Sequence, residues 1–299
     1  MGEPGGIGPE VAVKTLASVP AGVTPVLVGD PDVFAEAAAL VGVTDLPEVV
    51  RTQTAAGYEK GRPTAAGGGA SAAAIRKAVE MAQAGEVEAI VTAPISKEAL
   101  RMAGLPWPGH TEMLAELTGT DEYAMMLTGG GLRVMLVTIH AGLREVPGLI
   151  TRARVLRTLR LAARACRMLG ISGPRIAVAG LNPHAGEGGM FGVEEVEQIA
   201  PAIKDALDEG IAVTGPWPGD TVFHEALKGA HDMVVAMYHD QGLGPLKLVG
   251  FDTGVNTTVG LPFIRTSPDH GTAYGIAWTG NAASTSMAAA VNLALTMRL

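Results

Sequence analysis

The chain has 299 residues, 47% of them hydrophobic and 4% aromatic, with a formal net charge of −8. That apolar content excludes global disorder, and the acidic balance argues against nucleic acid as the main partner while leaving room for a small anion in a local cluster of cations and backbone N–H groups. A single cysteine, Cys166, excludes an intrachain disulfide and suits the cytosol; no apolar run approaches the roughly 20 residues of a membrane span, and no signal peptide is expected.

Met1 leads directly into Gly2-Glu3-Pro4-Gly5-Gly6-Ile7-Gly8-Pro9-Glu10, which reads as a turn. Such a turn ordinarily follows a strand, so a leading segment ahead of it is expected. Pro25 to Val28 reads as a strand and Pro31 to Leu40 as a helix. Gly67-Gly68-Gly69 reads as a loop before a helix from Ser71 to Ala84, which Gly85 stops. Val87 to Thr92 is a buried strand, and Ser96 caps the next helix. Leu132 to Thr138 is a strand, and Thr151 to Leu169 is a long helix with arginines outside and Cys166 among its apolar residues. Arg175 to Ala179 is a strand, Val193 to Asp208 a helix, Met233 to Met237 a strand, and Ser284 to Arg298 the last helix. Strands alternating with helices predict an α/β protein with a mainly parallel sheet covered on both faces. The length suits two lobes around a cleft.

Three of the seven histidines share one context. His140, His184 and His239 each lie just beyond the C-terminal end of a buried strand, at the edge where open α/β sheets form ligand sites. Neutral imidazole is the commonest side-chain ligand for zinc-like ions, and three ligands with an open position is a catalytic arrangement. Three separate hydrogen-bonded histidines remain the alternative. His224 and His231 lack the context and read as surface or capping residues.

Gly109-His110-Thr111-Glu112 precedes a helical stretch from near Met113, either an anion site or a plain cap by Thr111. Lys247 and Arg265 each end an apolar run, where a charge is costly unless paired. Lys247 can be read as a snorkelling surface residue, whereas Arg265 suits bidentate binding of phosphate or carboxylate. Asn256 could add an amide donor, and Asp220 or Asp240 could orient a ligand or take a proton, a solvated turn being the alternative for Asp220. No Gly-x-Gly-x-x-Gly fingerprint occurs in a β-α-β context. The loop Asp269-His270-Gly271-Thr272-Ala273 is instead the candidate for close approach to a dinucleotide.

These loops, in this order, resemble the 4-hydroxythreonine-4-phosphate dehydrogenase family. The likeness lies in Gly2 to Glu10, Thr92-Ala93-Pro94 with Lys97, Gly109 to Glu112, Thr138-Ile139-His140, Gly180 to Gly189, Ala236 to Gly242, Gly254-Val255-Asn256, Gly260 to Ser267 and Asp269 to Ala273. The resemblance implies a fold similar to isocitrate and isopropylmalate dehydrogenases, with two α/β lobes and a non-Rossmann nucleotide site. The lobes are expected at 1–112 with 267–299, and at 113–266. His140, His184 and His239 are implied to ligate a divalent metal (Zn, Mg or Co) at a homodimer interface, one of the three coming from the partner subunit. His110, Thr111, Lys247, Asn256 and Arg265 are implied to bind substrate, and Asp269, His270 and Gly271 to lie on the cofactor side.

The implied reaction is NAD or NADP oxidation of 4-phosphohydroxy-L-threonine, then decarboxylation to 3-amino-2-oxopropyl phosphate, in a cytoplasmic enzyme. A metal would lower the pKa of the alcohol and hold developing charge, with Asp220 as the candidate base. Relatives with the same motifs act on D-threonate or D-erythronate 4-phosphate, and another on a cis-dihydrodiol dicarboxylate. Readings of other classes are a three-histidine zinc lyase or hydrolase without nucleotide, an acyl-phosphate transferase, and a binding protein.

Overall fold

The computed structural model describes all 299 residues, in two compact units. The first comprises Met1–Asp121 and Leu261–Thr296; the second comprises Glu122–Gly260 and Met297–Leu299.

The first unit opens with α1 (Gly8–Thr15), β1 (Leu27–Gly29), α2 (Pro31–Val41) and β2 (Val49–Arg51). It continues through α3 (Ala65–Gln83), β3 (Ala89–Val91), α4 (Lys97–Met102) and α5 (His110–Thr118). The second unit contains β4 (Ala124–Gly129), β5 (Leu132–Leu136), α6 (Val146–Leu149), α7 (Arg152–Met168), β6 (Ile176–Ala179) and α8 (Ala200–Asp208). Then come β7 (Val213–Trp217), α9 (Val222–Leu227), β8 (Met233–Ala236), α10 (His239–Gly250) and β9 (Val255–Val259). The chain returns to the first unit with β10 (Ile264–Pro268) and α11 (Thr285–Thr296). No helix is long and apolar enough to cross a membrane.

In the second unit the strand order is β9-β4-β5-β8-β6-β7. Strands β5, β8, β6 and β7 run parallel, whereas β4 is antiparallel to both β5 and β9. Every residue of β6 and β8 is buried, as expected of strands covered on both faces. Helix α7 starts where Thr151 accepts a hydrogen bond from the Arg154 N–H. Its Val155, Leu159, Ala162 and Cys166 are buried, while Arg152 and Arg160 reach across to Asp205 and Glu209 on or beside α8. The stretch read as one helix from Val193 begins with a π turn, Glu195–Ile199, before α8 proper.

In the first unit β1 pairs with β2, and β3 with β10, all parallel. One reading needs correction here. The Gly67-Gly68-Gly69 run is not a loop but lies inside α3, which Thr64 caps. The reason is close packing: a Cβ on Gly67 would sit 2.0 Å from Glu3 Oε1, and one on Gly68 would sit 2.1 Å from the Ala99 carbonyl oxygen. Tertiary approach overrides the poor helix propensity of glycine. The division between the two units lies at 121/122 and 260/261. Met113 and Leu114 of α5, with Leu261 and Phe263, pack into one core with Ile75, Ile90 and Leu100, which holds both segments in the first unit.

Candidate active site

Because β5, β8 and β6 are neighbours, their C-terminal ends carry His140, His239 and His184 to one edge of the second unit's sheet. Pairing between β5 and β8 continues past the strands: Thr138 donates to the Met237 carbonyl from both its N–H and its hydroxyl, the latter at 2.7 Å. The chain can diverge only after that point, and the His140 and His239 rings lie 6.0 Å apart, centroid to centroid. His239 opens α10, and its Nδ1 lies 2.7 Å from Asp240 Oδ1, a contact that fixes the ring's orientation. Gln241 ties two of the strand ends together, accepting from the Met237 N–H at 2.6 Å and donating to the Gly180 carbonyl at 2.6 Å.

His184 is held differently. Residues 184–188 all have positive φ, a left-handed stretch that a sequence pattern does not reveal. His184, Ala185 and Glu187 bear side chains there, at a cost of roughly 1–2 kcal/mol each. The single chain brings no group of three His, Cys, Asp or Glu side chains together as a metal site. The donor set that one chain offers a divalent ion is two neighbouring imidazoles, His140 and His239, tilted 36° to each other.

Asp220 is exposed in the turn after β7. Lys247 lies on α10 eight residues beyond His239, about 12 Å along the axis, with its Nζ 5.8 Å from the centre of the Phe251 ring. Asn256 lies on β9 opposite Leu127, and its side-chain Oδ1 is shielded without a hydrogen-bond partner.

The first unit brings Arg265 of β10 close to His110 of α5. Helix α5 starts at His110, earlier than the sequence indicates, so Thr111 sits buried in the first turn and does not cap it. No side chain caps this helix, whose N-terminus carries the positive end of the helix dipole. Arg265, 2% exposed on β10, donates from Nη2 to Thr92 Oγ1 at 2.7 Å. Burial pushes its guanidinium down to about 9, with Glu112 opposing the shift. Burial, then Arg265 and the chain's amino group, hold His110 well below the usual imidazole range. A neutral imidazole, a desolvated guanidinium and a helix N-terminus favour a phosphate or carboxylate ligand.

In the same unit Ile7 N–H donates to the Thr272 carbonyl, stacking the N-terminal turn on the Asp269–Ala273 loop. Ser286 Oγ accepts from the Asp269 N–H at 3.2 Å. Close by in sequence, His270 Nε2 is shielded without a hydrogen-bond partner. Glu3 in the turn is fully buried, and burial raises it to about 7 against the pull of the Gly5 N–H. Glu10, also fully buried, accepts from the Trp278 and Gly280 N–H groups and holds Trp278 at a φ of 60°. Glu3, Glu10, Thr92, Glu195 and Gln241 carry no role in the sequence pattern; carboxylates within the Gly-rich Met1–Glu10 segment are a signal for Glu3 and Glu10, whereas Glu195 stands among other glutamates and gives none.

The chain shares its fold with a β-decarboxylating dehydrogenase from Thermococcus kodakarensis, at a TM-score of 0.53 and 16% identity over 96% of this chain and 78% of that one. Residues 21–294 then match the family described as pyridoxal phosphate biosynthetic protein PdxA, and the chain belongs to that family. It is 51% identical to 4-hydroxythreonine-4-phosphate dehydrogenase of Desulfosudis oleivorans, covering 99% of this chain and 94% of that protein. It is 46% identical to D-threonate 4-phosphate dehydrogenase of Salmonella typhimurium, covering 99% and 96%. The crystal structure of 4-hydroxythreonine-4-phosphate dehydrogenase from Klebsiella pneumoniae matches with a TM-score of 0.88 and 44% identity, covering 99% and 96%.

Proposed function

We propose that this protein is an NAD(P)-dependent dehydrogenase that oxidises 4-phosphohydroxy-L-threonine, with decarboxylation to 3-amino-2-oxopropyl phosphate. The observation that carries the reading is the buried Arg265 beside His110 at the uncapped start of α5, in a chain related end to end to enzymes named for that substrate.

Arg265, His110 and Thr111 hold the phosphate, and the family resemblance supports Lys247 and Asn256 as substrate-binding residues. Asp220 accepts the alcohol proton. Asp269, His270 and Gly271 line the cofactor side, their loop braced by Ser286 and the N-terminal turn. NAD(P)⁺, when bound there, would take the hydride, and a divalent ion held by the histidines would lower the pKa of the alcohol. His140 and His239 are ligands from one subunit, and the partner subunit's His184 completes the set in a homodimer. A single buried cysteine, Cys166, supports a cytoplasmic location.

The relative named for D-threonate 4-phosphate favours a second reading with the same chemistry and a sugar-acid phosphate as substrate. Absorbance at the NADH band separates the two. The zinc-loaded protein is given each phosphate with NAD⁺ and with NADP⁺, with and without chelator. Chelator-sensitive turnover of the hydroxythreonine phosphate supports the first reading, preference for the sugar acid moves the protein to the second, and no reduction with either sinks both.

A further inference from the structure

We infer that Glu195 is a positioning residue: it sets the conformation of the loop that carries His184, and through it the affinity of the metal site. The metal half of this inference rests on the role proposed above for His184.

Glu195 lies on the π turn ahead of α8 and is 2% exposed. A carboxylate so buried needs partners, and its two oxygens face the loop after β6. Oε1 accepts from the backbone N–H groups of Leu181 and Asn182, each at 2.7 Å. Oε2 accepts from the Asn182 side-chain amide at 2.9 Å, whose other hydrogen goes to Glu194 Oε2 at 2.7 Å. Three donors from two consecutive residues therefore converge on one carboxylate, immediately before Pro183 and His184.

The left-handed stretch that follows wraps the same group. A Cβ on Gly186 would fall 2.6 Å from Glu195 Oε2, so the chain can curl past the carboxylate only with glycine there. The loop contributes no strand pairing beyond the Gly180 N–H, which donates to the Trp217 carbonyl. Its non-glycine residues hold a conformation that costs energy, and the surroundings must over-determine it. Glu195 is the buried group placed to do so. Its removal leaves two backbone donors shielded without acceptors and frees His184 to sample right-handed backbone conformations. A ligand that must be re-ordered on binding loses affinity, and loss of an outer-shell partner typically costs about 10–100-fold in metal binding.

The test compares wild type, E195Q, E195A, H184A and H239A as full-length zinc-free chains. Zn²⁺ affinity is read by competition with a fluorescent chelator, thermal stability by circular dichroism, and amide hydrogen exchange at Leu181 and Asn182. E195Q keeps an oxygen for the two backbone donors but turns an NH₂ toward the Asn182 amide, so it should bind zinc several-fold more weakly while melting close to wild type. E195A should lose about 10–100-fold in affinity and about tenfold in amide protection; if it does not fold, E195Q decides. Zinc affinity within twofold of wild type in both variants overturns the inference. Equal zinc binding by wild type and H184A would instead overturn the metal half, and unchanged exchange at Leu181 and Asn182 in the Glu195 variants would overturn the positioning half.

Discussion

Arg265→Met should make the protein more stable and much less active. Burial holds the guanidinium down to about 9, well below its ordinary value, so the charged form is disfavoured in the free protein. At about 1.4 kcal/mol per pH unit the upper bound on that penalty is about 4–5 kcal/mol at neutral pH. Effective screening inside real proteins and loss of the bond to Thr92 Oγ1 reduce the net gain from Met to about 1–2 kcal/mol. For a chain of this size that corresponds to a rise in Tm of roughly 2–6 °C. Two charge-assisted hydrogen bonds to a substrate phosphate are worth about 3–5 kcal/mol, so kcat/KM should fall by about 10²–10³-fold or more. Calorimetry in phosphate-free buffer and steady-state NADH formation give the two readouts. Adding substrate should raise the Tm of wild type but not of the variant. A variant that melts several degrees below wild type, or keeps kcat/KM within tenfold, refutes the idea that Arg265 is a desolvated charge kept for an anion.

Glu3→Gln should alter the pH dependence of stability. The folded carboxyl titrates near 7 and the unfolded one near 4.5, so the native state binds the extra proton between those values and wild-type stability falls as pH rises through that window. Above it the variant should be more stable by up to about 3 kcal/mol, read by urea melts at pH 4 and 8; parallel profiles would show that Glu3 is not desolvated. Gly68→Ala should cost about 2 kcal/mol or more, because its Cβ meets the Ala99 carbonyl oxygen at 2.1 Å, whereas at Gly69 the nearest atom is 3.5 Å away and alanine should stabilise α3 by about 0.5–1 kcal/mol. Thermal melts of the two variants should therefore move in opposite directions. His140→Ala and His239→Ala should each abolish tight zinc binding in elemental analysis of the dialysed protein, and retention of one zinc per subunit by either would exclude it as a ligand.

Much of the framework was legible in the sequence because local chemistry controls it. Thr151 and Ser96 cap the helices that follow them through hydrogen bonds spanning three residues, and α2 occupies nearly the stretch read from its apolar pattern. The apolar runs of β5, β6 and β8 placed His140, His184 and His239 at strand ends, since a buried parallel strand needs a continuous apolar run and leaves its polar residues beyond it. What lay out of reach depends on atoms distant in the chain. The Gly67–Gly69 run reads as a loop until Glu3 and Ala99 are packed against it. The antiparallel direction of β4 follows from which strands flank it, and the burial of Arg265 from the joining of two segments in one core. The His184 loop is the sharpest case: five left-handed residues follow donors that close on a carboxylate 13 and 14 residues further along, an arrangement specified by tertiary contact and by no local preference.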